Sequence, residues 1–294
     1  MSLICFTNLQ HLHRLYNNYR KVFIAFIIST LCLSTISCNR ENYEDDIIDS
    51  CNKNMYEYVG LNKDTLIIAH WNIGHFSLGR SSNTTISEND SNDKLTSYRN
   101  LIDTLNADLI GVSEYNLTFD TAGRAAYDLL FNEFPYYYIG PMYAYNCNAS
   151  FFKFPVLLTK SYIFKTAVQN RYYICTSFLF NNVEVKFIET HLDWNQGEYG
   201  NLCRSDQMII LASIFHNDPY VIICADFNTT NTEEFECFTT EGFSIAFDEH
   251  SSNGAYKTID NVIYKGFRLA EKKLIKDNTL SDHPLLKSSF ILES

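Results

Sequence analysis

Side chains able to hold a metal or move a proton recur in this chain where short apolar runs end. Asn72 follows Leu66-Ile67-Ile68-Ala69-His70-Trp71, and Glu114 closes Leu109-Ile110-Gly111-Val112-Ser113. His191 stands in Val185-Lys186-Phe187-Ile188-Glu189-Thr190-His191-Leu192-Asp193, while Asp226 and Asn228 follow Val221-Ile222-Ile223-Cys224-Ala225. Asp260 opens an apolar run to Tyr264, and Asp282-His283-Pro284 precedes a last one. Taken singly, each has an ordinary explanation. An Asn at a strand end caps a turn, and a loop histidine is as often a surface residue as a site. Glu114 alone is weak evidence as well, although a carboxylate ending a buried run is costly unless it meets a cation or donors. Together the types are hard oxygen ligands for a divalent ion and Asp/His groups for proton transfer.

These residues need elements to carry them to one place. Strands are expected at Leu66–Trp71, Leu109–Ser113, Tyr136–Gly140, Tyr172–Phe180, Val183–Glu189, Tyr220–Ala225, Ile259–Tyr264 and Leu286–Leu292. Helices are expected at Asp93–Asn106, Thr121–Asn132, Cys203–Phe215 and Thr232–Thr239, the first from the spacing of Leu95, Tyr98, Leu101, Ile102 and Leu105. Asn181-Asn182 links two strands as a hairpin turn. Hairpins mixed with helical crossovers predict sheets covered by helices in one continuous domain. Strand ends are where such α/β folds place ligands. Asp226 and Asn228 point the same way if their strand continues.

Residues 1–38 read as an address. Arg14, Arg20 and Lys21 precede the apolar stretch Val22 to Ile36, then Ser37, Cys38 and an abrupt polar change. The stretch is short for a membrane span. It resembles a bacterial lipoprotein signal with Cys38 as the lipidated residue, although Thr35 stands where Leu is usual. The expectation is an exported protein, lipid-anchored to a bacterial cell-envelope membrane. Residues 39–64 are polar and acidic and read as a flexible tether, with the main domain at 65–294. Beyond Cys38 there are 20 Lys+Arg against 34 Asp+Glu, the full chain's 23 less the three basic residues above; the net charge is then −14. Such a surface is poorly supplied for neutralising a polyanion, so nucleic acid is a possible but disfavoured partner. Cys51, Cys147, Cys175, Cys203, Cys224 and Cys237 show no C-x-x-C metal spacing. Export permits disulfides among them, and Cys224, inside an apolar run, reads as a buried hydrophobe.

The six segments, in this order from Asn72 to Pro284, resemble the endonuclease/exonuclease/phosphatase superfamily. Its pattern is an Asn after the first strand, a Glu after the second, T-H-L-D, G/A-D-F-N, I-D and S-D-H-P. The resemblance implies a four-layered α/β sandwich, two mixed β-sheets packed face to face with helices outside. It implies hydrolysis of a phosphoester, as phosphodiesterase or phosphatase, with Mg²⁺ or Mn²⁺ as cofactor; separately, a monomer is expected. Metal binding falls to Glu114, with Asn72 and Asp282 completing the site. His283 at the attacking water, oriented by Asp260, and Asp226 are the two candidate general bases, and both readings stand. Asn228 and Arg171 would meet the phosphate, and His191 the phosphate or the leaving oxygen. The chain departs from the pattern at Asn146–Val156, where a Gly and a Ser-Arg pair are absent, which weakens any substrate role for Asn148. The alternative from another class is a noncatalytic surface lipoprotein that keeps the fold for binding.

Overall fold

The computed structural model describes residues 60–76, 91–115, 131–141, 147–166, 171–195, 197–277 and 279–293, apart from the side chains of 91–95. The leader with Cys38, most of the tether, and 121–130 of the helix expected at 121–132 lie outside the described residues; Phe131 and Asn132 are not helical. In chain order the elements are β1 (Leu66–Asn72), a 3-10 turn (Gly74–Phe76), α1 (Ser91–Leu105), β2 (Leu109–Tyr115), β3 (Tyr136–Ile139), β4 (Cys147–Phe152) and β5 (Leu158–Ile163). There follow β6 (Tyr172–Phe180), β7 (Val183–His191), α2 (Glu198–Phe215), β8 (Val221–Asp226), a 3-10 turn (Thr232–Phe235) and α3 (Glu236–Thr240). The last are β9 (Ser244–Ile245), β10 (Asp260–Lys265), β11 (Phe267–Ile275) and β12 (Leu285–Leu292).

Two six-stranded sheets result, ordered β11-β12-β1-β2-β4-β3 and β5-β6-β7-β8-β10-β9. Both are mixed. β1 runs parallel to β2 and β7 parallel to β8, with antiparallel strands outside each pair. Strand alternation then sorts side chains into layers. Leu66, Ile68, Leu109, Phe152, Phe187 and Ile222 face the gap between the sheets. Ala69 and Trp71 face the other way, onto Tyr98, Ile102 and Leu105 of α1. Ile188 and Ile223 pack against Met208 and Leu211 of α2. The chain is therefore a four-layered α/β sandwich. Phe152 and Phe187 meet edge to face at 5.9 Å across the inner layer. Burying each such ring stabilises by about 1.5–3 kcal/mol.

Asn181 and Asn182 have φ of 49° and 65°, as a two-residue hairpin turn requires. α2 begins five residues before the expected Cys203, after Gly197 at φ 89°. Four strands were not expected: β4, β5, β9 and β11. β11 reads Phe-Arg-Leu-Ala-Glu-Lys-Lys-Leu-Ile, good helix formers by propensity. It is extended because it pairs along its length with β12. The end of the presumed tether is docked, not free: Leu61 bridges to Phe180 and Lys63 pairs with Asp108 at 2.6 Å. Cys175, Cys203, Cys224 and Cys237 are free thiols. Among the described residues no helix is long and apolar enough to cross a membrane.

Candidate active site

At one end of the inter-sheet layer the inward positions change from apolar to polar. His70, Asn72, Ser113, Glu189, His191, Asp226 and Asp260 are all buried there. Strand register explains the convergence. Asn72 pairs with Ser113, His191 with Asp226, and Asp226 with Asp260 on its other side. The two sheets then meet through side chains. Asn72 Nδ2 donates to Asp226 Oδ2 at 2.9 Å and lies 3.4 Å from His283 Nε2. His283 Nδ1 is 2.9 Å from Asp260 Oδ2, and His191 Nε2 is 3.5 Å from Asp226 Oδ2. Ser281 locks the loop before β12 in place: its Oγ donates to the Asn72 carbonyl at 2.7 Å and accepts from the His283 amide at 3.1 Å.

Glu114 is aimed by a local irregularity. Pairing of β2 with β4 slips between Val112 and Tyr115, and Glu114 adopts φ 57°, a backbone state L-residues seldom hold. A bulge of this kind redirects a side chain near an active site. The Glu114 Oε1 comes within 3.9 Å of His191 Nδ1. Asn228 departs from the expected geometry, because β8 stops at Asp226 and Asn228 turns to φ 53°. Its backbone N–H donates to Asp226 Oδ1 at 2.9 Å and its Nδ2 to the Leu192 carbonyl at 3.1 Å. Arg171 lies within the fields of Asp193, Asp226 and Glu114, its Nε buried without a hydrogen-bond partner among the described residues. Asp282 is exposed and acts on the cluster as a nearby negative charge. Asn148 is buried and donates to the Tyr172 carbonyl, a structural task.

The electrostatics separate the groups. Burial and the Asp260 charge push the Asp226 pKa up, His283 and the Asn72 hydrogen bond pull it back, and it settles at about 7. Burial opposes charge on His283. The hydrogen bond and charge of Asp260, helped by Asp226 and Asp282, outweigh burial and hold the pKa at about 10. His191 is pushed well below the ordinary histidine value by burial and by the positive neighbours Arg171, His283, His70 and His75. One carboxyl thus titrates near neutrality beside two imidazoles kept charged, His283 and His70, and one kept neutral, His191.

Two sets of donors are candidates for a divalent ion. Oxygen atoms of Glu114 and Asn72 suit a hard cation. Asp226, Asp260 and His283 offer ligand atoms within 4.8 Å of one another. In that trio His283 Nδ1 already lies 2.9 Å from Asp260 Oδ2, whereas Asp260 Oδ1 is buried without a hydrogen-bond partner among the described residues.

Four residues of the site were not singled out from sequence. His70 is fully buried, with Nδ1 3.1 Å from Glu189 Oε2 and Nε2 3.6 Å from Asp260 Oδ1. Ser113 Oγ donates to Glu189 Oε1 at 3.0 Å. Gly111 leaves the space for this pair, since a Cβ there would lie 2.0 Å from Glu189 Oε2. His70 and Glu189 sit inside runs that read as plain strands; the available signal was that each lies two residues before a site residue, on the same face. Gly111→Ala is expected to lower stability by about 1–3 kcal/mol, the scale of an overpacked core. Thermal unfolding checks this, and an unchanged midpoint would contradict it.

No protein-family model matches this chain, and no curated protein matches it in sequence. Solved structures do. An endonuclease/exonuclease/phosphatase from Beutenbergia cavernae DSM 12333 superposes with TM-score 0.62 at 12% identity, over 79% of this chain and 72% of that one. The human nocturnin catalytic domain with bound sulfate gives 0.60 at 19% identity, over 80% and 96%. D. rerio TDP2 complexed with single-strand DNA product gives 0.60 at 13% identity, over 78% and 99%. The sandwich is the fold of endonuclease/exonuclease/phosphatase structures.

Proposed function

We propose that this chain is a divalent-metal-dependent hydrolase of phosphoester bonds, working by in-line attack of water on phosphorus. The observation that carries the reading is the hydrogen-bonded cluster Asn72–Asp226 and Asp260–His283, assembled from both sheets beside Glu114 and His191. Fold relatives that hold sulfate or a DNA product agree with a site for phosphoryl oxygens. Mg²⁺ or Mn²⁺, when bound, would neutralise phosphate charge and acidify water. Glu114 and Asn72 would hold the ion, with Asp282 at the rim.

Of the two candidate bases, Asp226 is favoured. A general base works best with a pKa near the working pH, and Asp226 is at about 7. His283, kept cationic by Asp260, then stabilises negative charge on the phosphoryl group. Arg171 and the second amide hydrogen of Asn228 would meet nonbridging oxygens. His191, buried and neutral, lies beside Asp226 and serves the phosphate or the leaving oxygen. The acidic surface favours a small or lipid phosphoester over a long polyanion. A binding protein has no need of this graded set of proton donors and acceptors, so the noncatalytic reading is not favoured.

Turnover of a chromogenic phosphodiester with Mg²⁺ or Mn²⁺, repeated with chelator, tests the reading. Activity abolished by chelator is the expected result; equal turnover with and without metal would reject it. We also propose that Cys38 carries a lipid anchor at a bacterial cell-envelope membrane. Cys38→Ala is then expected to move the protein from the membrane fraction to the soluble fraction, and unchanged partitioning would count against the anchor.

A further inference from the structure

Asp260 is approached by two imidazoles, and one of them lies outside the reacting cluster. Asp260 Oδ2 is 2.9 Å from His283 Nδ1. Asp260 Oδ1 faces His70 Nε2 at 3.6 Å, and neither of these buried atoms has a hydrogen-bond partner among the described residues. On its other side His70 Nδ1 is 3.1 Å from Glu189 Oε2, and Glu189 Oε1 accepts from Ser113 Oγ at 3.0 Å. His70, Glu189 and Asp260 are all fully buried. The line Glu189–His70–Asp260–His283 also crosses the inner layer. His70 stands on β1 of one sheet, Glu189 and Asp260 on β7 and β10 of the other. Both ring nitrogens of His70 face carboxylate oxygens, which the doubly protonated ring satisfies by donating on each side. Two carboxylates cut off from water need such a cation, and an ion pair at this depth is little screened.

We propose that His70 is a positioning residue for the reaction: it holds Oδ1 of Asp260, so that Oδ2 stays fixed on His283. The proposal rests on the reading of Asp260 and His283 as parts of a phosphoester-hydrolysing site. A carboxylate held at one oxygen can turn about its Cβ–Cγ bond; held at both, it offers His283 a single geometry. Thr258 Oγ1 does not supply the second hold, since it lies 3.4 Å from Oδ2, the oxygen that His283 already uses. Ser281 fixes the His283 backbone, and His70 fixes the partner of its ring. A buried ion pair that merely joined the two sheets would leave His283 unaffected when it was replaced as a unit.

The test makes that replacement in the full-length chain. His70→Leu combined with Glu189→Leu removes one buried cation and one buried anion together, a change that folds commonly survive. In proton NMR spectra the Nδ1–H of His283, identified by its loss in His283→Ala, should shift or vanish in the leucine double variant. Its kcat for the chromogenic phosphodiester should fall by about 10–100-fold, the scale for an outer partner that orients a site group, with KM little changed. His70→Gln combined with Glu189→Gln returns an amide donor toward Asp260 Oδ1 and should recover most of both readouts. Should the leucine double variant not fold, His70→Asn with Glu189→Gln takes its place, because the shorter amide reaches residue 189 and not Asp260. A folded variant without the Asp260 contact that keeps the wild-type His283 signal and kcat overturns the proposal. So does a glutamine double variant no better than the one lacking the contact. The NMR signal needs no turnover, so a wild-type chain inactive on phosphodiesters sinks the proposed function while the signal still decides the role of His70.

Discussion

Replacing Asp226 by Asn is expected to lower kcat for phosphodiester hydrolysis by about 10²–10⁴-fold, the contribution of a positioned general base. The substitution keeps shape and size in a fully buried place and removes a carboxylate poised near neutral pH. His283→Ala is expected to fall in a similar range, because it deletes the cation that Asp260 maintains. Stability should move the opposite way for Asp226→Asn. A carboxyl whose folded pKa stands above its unfolded value binds its proton more tightly in the folded state. Stability is therefore lost as pH rises from the ordinary Asp range of about 4 toward about 7. The Asn variant escapes that loss and should melt higher at neutral pH. A site that strains the fold for chemistry shows this opposition of activity and stability. Full activity in Asp226→Asn would remove Asp226 as the base, and a lower melting point would contradict the burial argument.

The second large effect concerns pH. Activity should rise as Asp226 ionises near pH 7 and fall as His283 loses its proton near pH 10, giving a bell-shaped kcat/KM profile. Asp260 raises both groups: its hydrogen bond and charge favour the imidazolium, and its charge disfavours ionisation of Asp226. Asp260→Asn therefore lowers both pKa values, and both limbs move to more acid pH. Rate profiles of the two proteins check this directly. An alkaline limb that stays in place in Asp260→Asn would separate His283 from the relay.

The sequence made the central strands legible because their alternation is regular and their ends are marked. Tyr172–Phe180 was located residue for residue, and Asn72, His191, Asp226 and Asp260 proved to be strand-terminal residues that register brings together. Other features had no local signature. β5, at an edge, alternates exposed and half-buried residues and buries none. β11 carries helix-forming residues and owes its extension to β12. The direction of Asn228 depended on where β8 stops, which local pattern does not specify. The bulge that aims Glu114, and the meeting of His75 with it, arise from pairing between segments distant in sequence. His70 and Glu189 were hidden because an inward polar residue in a strand reads as a defect until its partner across the layer is known.

Anomalous scattering from crystals grown with Mn²⁺ tests most directly whether these segments form one metal-assisted phosphoester site. The account predicts a peak bound to the carboxylate of Glu114, facing the Asp226–His283 cluster. A peak held only elsewhere, for example at the exposed carboxylates of Asp248 and Glu249, with none at Glu114, would contradict it.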